Sequence, residues 1–235
     1  MRNISWNKDT YKEFINYLYS LQDLKYRDFH SSLGIEKNYL IGVRTPLLKK
    51  IAKEISLGDY NAFIKYNNHQ TYEEILIHGL IIGYIKVDFE KIQTMILEFI
   101  PYIDNWALCD LMCSNLHIWS NNTKNGIKFV KLLLKSKNQW YKRVGIVLLI
   151  DYYVNDDYID IILDYFKDYN TDEYYVMMAV AWLLSICYIK YPKRTSKLLE
   201  SKVLGKTLQN KTIQKIRESK RIEQEIKDAL SSWRK

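Results

Sequence analysis

The sequence predicts an all-α fold, a superhelical array of stacked helix pairs. Three observations carry that prediction. Apolar segments with a helical period run the length of the chain, and none reads convincingly as a strand. Only 8 Gly and 3 Pro punctuate the 235 residues, and Asp, Asn or Thr stands at nearly every segment boundary. Their side chains accept from the orphan N–H groups of a first helical turn. Finally, Trp106, Arg143 and Trp182 lie 37 and 39 residues apart, close to the period of helix-pair repeats. Equivalent helices would then turn them, together with Asp110, toward one concave face. An array of this length is expected to form a single domain, residues 1–235.

The elements follow in chain order. Thr45 and Pro46 read as an N-cap and a proline at the first helical position, where the missing N–H removes nothing, before LLKKIAKEI and a stop at Gly58. Thr71 and Glu74 have capping-box spacing and open a helix to about Ile85. In it Ile75, Ile77, His78, Ile81, Ile82 and Ile85 form a broad apolar face. Asp88 caps a helix to about Tyr102, and Asp104 or Asn105 caps the one carrying Trp106 and Asp110. Asn122 or Thr123 starts the next, Asn138 the one carrying Arg143, and Asp156 or Asp157 another. Thr171 or Asp172 begins the long apolar segment that Pro192 ends, and basic helices follow around Lys206–Arg217 and Glu223–Trp233.

Composition excludes several classes. No run of eighteen uncharged apolar residues occurs, and MRNISWNKDTY lacks the basic-then-apolar build of a secretory signal, so a cytoplasmic protein without membrane contact is expected. Cys109, Cys113 and Cys187 are an odd number in apolar helical stretches, which suits reduced core thiols. Cys109, Cys113 and His117 form an i, i+4, i+8 stripe. One helix face makes a poor tetrahedral cage, so no metal is expected. Of the net charge of +8, residues 190–235 contribute +9, with 14 Lys/Arg against 5 Asp/Glu, and the first 189 residues −1. A C-terminal basic surface suits phosphate binding by counterion release. Abundant Lys, Asn, Ile and Tyr are equally what an AT-rich coding sequence yields.

Trp106 and Asp110 stand at i and i+4, the spacing that puts two helical side chains side by side and gives an apolar-rimmed carboxylate. Taken singly, these residues have ordinary structural roles: a helical Trp packs, an Asp covers a solvated helix face, and an Arg pairs or snorkels. Their joint placement at repeat spacing is what makes them a candidate site. Trp6, Trp119, Trp140 and Trp233 are read as packing residues.

Six segments, Tyr39 to Ile55, Tyr72 to Lys86, Asp104 to Asp110, Trp140 to Leu149, Tyr174 to Ser185 and Asn210 to Ser219, together resemble the DNA alkylation repair family of HEAT-like DNA glycosylases, in the family's order and over almost the whole chain. The resemblance implies excision of N3- and N7-alkylated purines from duplex DNA by hydrolysis of the N-glycosidic bond, with neither metal nor nucleotide cofactor. By the same resemblance Asp110 is the catalytic carboxylate, Trp106 and Trp182 contact lesion and sugar, and Arg143 contacts DNA. For the family's DNA-facing aromatic near the N-terminus, Tyr26 and Phe29 compete. Ser185 and Ile189 stand where cationic residues would flank the second tryptophan. Lys211 and Lys215 are plausible phosphate contacts on residue type alone. The rival reading is a non-catalytic helical-repeat protein that binds damaged or branched DNA. A monomer is expected, because a capped array needs no partner.

Overall fold

The computed structural model describes all 235 residues and contains helices and turns but no strand. The chain divides into two compact units, Met1–Ile118 and Trp119–Lys235. The first holds α1 (Lys8–Ser20), α2 (Leu24–Ser32), α3 (Thr45–Ser56), α4 (Tyr60–Tyr66), α5 (Tyr72–Tyr84), α6 (Phe89–Phe99) and α7 (Trp106–Ser114). The second holds α8 (Thr123–Leu134), α9 (Gln139–Tyr152), α10 (Ile159–Phe166), α11 (Tyr174–Lys190), α12 (Pro192–Glu200), α13 (Lys206–Glu218) and α14 (Gln224–Ala229).

Within each unit alternate helices lie side by side. In the first, α5 packs against both α3 and α7; in the second, α11 packs against both α9 and α13. A helix with neighbours on both flanks must be apolar all round. That explains α5, where every residue from Tyr72 to Ile82 is buried, and α9, buried from Arg143 to Ile150. The one-faced stripe expected for α5 therefore gives way to a fully enclosed helix. Each Ile or Leu that α5 removes from water contributes roughly 1.5–3 kcal/mol to folding.

The caps fall close to their expected places, with informative differences. The Thr71–Glu74 capping box is complete, and Asn105 and Asn138 each accept from first-turn amides. Thr45 is itself the first helical residue, with Arg44 at the cap and no side-chain bond, so Pro46 stands one position further in and the helix ends at Ser56. Asp88 and Asn122 occupy cap positions without capping bonds. The helix expected from Asp156 or Asp157 starts only at Ile159, because Asn155 takes the turn by accepting from the Asp157 amide. Glu173 rather than Thr171 or Asp172 precedes α11; Thr171 Oγ1 instead accepts from the Glu173 amide. Pro192, expected as a terminator, also opens α12.

All three cysteines are buried free thiols. No helix is long and apolar enough to cross a membrane.

Candidate nucleic-acid interface

All six side chains singled out from the sequence lie on the alternate helices just described: Trp106 and Asp110 on α7, Arg143 on α9, Trp182 on α11, and Lys211 and Lys215 on α13. Each unit is best taken by itself.

In the first unit, local sequence and close packing fix α7. Asn105 Oδ1 accepts from the Ala107 and Leu108 amides at 3.0 and 3.2 Å, which starts the helix immediately before Trp106. Ala107, Leu108, Cys109, Met112 and Cys113 are buried, whereas Trp106, Asp110 and Leu111 are half-buried. The i, i+4 pair therefore occupies the open side of its helix. Indole Nε1 of Trp106 reaches the Leu33 carbonyl at 3.4 Å. At the other end of α7, Asn115 Nδ2 donates to the Leu80 carbonyl of α5 at 2.9 Å.

Two glycines that the sequence reading passed over allow α7 to approach α5. A Cβ on Gly83 would stand 2.2 Å from the Asn115 carbonyl oxygen, and one on Gly79 would stand 2.7 Å from the Phe99 ring and 3.3 Å from Met112 Cβ. Glycine at these positions removes the atoms that would hold the helices apart. The signal was present as two glycines four residues apart on one apolar helix.

A second positioning device is Glu73, fully buried on the first turn of α5. Its carboxylate accepts from the amides of Ile41, Gly42 and Val43 at 2.9, 2.7 and 3.1 Å. Burial raises its pKa, while the three donors oppose that rise. Gly42 has φ +100°, and a Cβ there would stand 2.8 Å from Arg27 Cβ, so this loop needs glycine for conformation and for space.

The competing aromatics of α2 are placed differently. Tyr26 is half-buried, its hydroxyl 3.0 Å from Thr45 Oγ1 and its ring under the Arg44 guanidinium at 5.5 Å. Phe29 is 59% exposed.

In the second unit, Arg143 is buried, at 5% exposure, and its Nη1 donates to the Tyr175 carbonyl at 2.8 Å. Its neighbour Lys142 pairs with Glu173. Trp182 is half-buried, and its carbonyl accepts from Ser185 Oγ at 2.7 Å, which accounts for the buried serine one turn on. On α13, Leu208, Gln209, Thr212, Ile213 and Ile216 face inward. Lys211 and Lys215 share a half-exposed strip, with Lys211 Nζ donating to Gln214 Oε1 at 2.9 Å. Trp6 and Trp119 are core residues as expected, Trp119 through an Nε1 bond to Tyr153 Oη at 2.9 Å. Trp140 is not enclosed: it is half-buried and its ring lies 4.7 Å from that of Tyr175.

No group of three or more His, Cys, Asp or Glu is arranged to hold a metal ion. The profile of the family described as "DNA alkylation repair enzyme" matches residues 14–221. No curated protein and no solved structure matches the chain.

Proposed function

The chain belongs to the DNA alkylation repair enzymes, and from that premise we propose that it is a DNA glycosylase that releases cationic N3- and N7-alkylated purines from duplex DNA. The observation that carries this reading is the open side of α7, where Trp106 and Asp110 stand half-buried one turn apart while the intervening residues pack inward.

The chemistry needs little more. Alkylation at N3 or N7 places a positive charge on the purine, so when the N-glycosidic bond breaks its electron pair leaves with the base and neutralises that charge. The deoxyribose is left with oxocarbenium character, as in glycoside hydrolysis generally. A fixed carboxylate beside C1′ stabilises this cation. Water then attacks C1′, its proton passing to Asp110 or to solvent, and the products are the free base and an abasic sugar. The faces of Trp106 and Trp182 each contribute roughly 0.5–2 kcal/mol of cation–π attraction and exclude water. Arg143, held by the Tyr175 carbonyl, is the fixed cation proposed to face a backbone phosphate, with Lys211 and Lys215 as further phosphate contacts.

The test is single-turnover release of 7-methylguanine from a defined duplex, comparing the wild type with Asp110→Asn at identical salt. Loss of one well-placed stabilising group lowers such rates by about 10²–10³. We expect at least a tenfold fall with DNA binding retained. Release that is unchanged in D110N removes Asp110 from the chemistry, and tight salt-sensitive binding without release by the wild type replaces the enzyme with a DNA-binding protein.

A further inference from the structure

The second unit carries an aromatic ledge that neither packing nor the proposed reaction uses. Tyr174, the first residue of α11, is 61% exposed. Its ring meets Tyr175 edge-on at 5.4 Å, and Tyr175 in turn lies against Trp140 at 4.7 Å with 34° between the planes. Three rings from two helix starts thus form one continuous run from half-buried to exposed. It is rigid as well, because the backbone under Tyr175 is held by Arg143 and the residue before Tyr174 by Lys142.

Beside Tyr174 opens a cavity of about 250 Å³, walled by Asn170, Thr171, Asp172 and Met177 on one side and by Gly205, Lys206 and Thr207 on the other. That is several times the roughly 30 Å³ of one water molecule. Its polar lining residues are Lys206, Asn170, Thr171 and Thr207, of which Thr171 already bonds Glu173 through its hydroxyl. The wall also includes the first turn of α13, which no side chain caps. Asp172 is the opposing charge. The Lys142–Glu173 pair cancels itself, and Lys135 and Lys137 stand exposed in the turn before α9, which carries Trp140.

An exposed ring next to a cavity that offers the Lys206 ammonium and the uncapped first turn of α13 fits a nucleotide whose base is free to stack while its phosphate enters on the Lys206 side. Paired bases inside a duplex keep both faces covered by their neighbours, so such a ledge selects an unpaired nucleotide. We infer that the starts of α9, α11 and α13 form a binding surface for an unpaired nucleotide of the bound DNA, with Tyr174 stacking its base and the Lys206 side of the cavity taking its phosphate. This inference rests on the DNA reading above.

The experiment uses the full chain and two DNAs of one sequence, a fully paired duplex and the same duplex with a single unpaired 2-aminopurine. Stacking on an aromatic ring quenches the fluorescence of that base, and replacing such a ring by alanine removes the stack and its share of the affinity. The wild type is expected to quench the probe and to bind the unpaired DNA at least fivefold more tightly than the paired one. Tyr174→Ala should abolish both effects, Tyr174→Phe should keep them, and Lys206→Ala should weaken the preference while leaving the quench partly in place. Because Tyr174 is mostly exposed, its alanine variant is expected to fold, which circular dichroism checks. Equal affinity for the two DNAs, or a quench that survives Y174A, overturns the ledge while paired-duplex binding still supports the DNA reading. Failure to bind either DNA overturns both.

Discussion

In residues 1–118 the core encloses His30, Glu73, Glu74 and His78, whereas in residues 119–235 Arg143 is the one acidic, basic or histidine side chain so enclosed. The first unit is held by directional bonds. Glu73 anchors three successive amides of the 41–43 loop, and Glu74 completes the capping box while accepting from the Tyr11 hydroxyl, which ties α1 to α5. His69 Nε2 and His78 Nδ1 stand 2.9 Å apart, with Tyr102 stacked on His69 at 3.8 Å. The second unit depends more on shape, on long apolar helices fitted side by side. Directional bonds fix one geometry because a buried donor or acceptor without its partner is expensive, whereas apolar surfaces tolerate small shifts. The unit with the rigid polar frame is the one that carries α7 and the candidate carboxylate.

The largest expected effect breaks that frame. Glu73→Ala leaves three buried amides without an acceptor, each worth about 1–3 kcal/mol. E73A should lower unfolding free energy by at least about 3 kcal/mol in a denaturant titration. A loss below about 1 kcal/mol would show that the loop is held by other means.

Gly83→Ala acts on packing rather than bonding. A methyl 2.2 Å from the Asn115 carbonyl forces α7 away from α5, and overpacking of this kind typically costs about 1–3 kcal/mol. The comparison sharpens if G83A also slows base release, since the displaced helix carries Asp110. Destabilisation with full activity would separate α7's position from the chemistry.

Acid provides a third contrast. Burial lowers the pKa of His78 to about 3 and of His69 to about 4, from 6.5. A histidine held neutral in the fold is protonated first in the unfolded chain, so its contribution is intact above pH 6.5 and is lost as pH falls toward 4. Glu73, raised by burial, has the opposite sign and partly offsets this loss. Amide exchange in α5, corrected for intrinsic rates, should therefore rise between pH 7 and pH 5 more than in α11. His78→Phe should flatten that difference, and equal responses of the two helices would abolish the contrast.

The smallest effect belongs to the second unit. Thr212 is fully buried and its hydroxyl has no hydrogen-bond partner in the protein. Thr212→Val keeps the shape and removes the unmet polar atom, so its stability should change by less than about 0.5 kcal/mol or rise. A clear loss would reveal a polar network there too.

Much was legible in the chain itself. Helical class, the Thr71–Glu74 box, the Asn138 cap and a cap at Asp104 or Asn105 all follow from residues within one or two turns of each other, and local backbone geometry needs nothing further to express them; packing chose Asn105. The starts of α10 and α11 slipped by two or three residues because several Asp, Asn and Thr in a row can each take a cap, and packing chooses among them. Sequence could not tell Trp119, enclosed and bonded to Tyr153, from Trp140, left open beside Tyr175. It also could not show that Arg143 would be buried, that Glu73 would hold a loop thirty residues away, or that Gly79 and Gly83 admit a helix. Those outcomes depend on which helices become neighbours. The chain by itself determined what each segment is and which side chains share its faces; the tertiary structure alone decided which faces stay open, because burial is a property of the partner surface as much as of the residue.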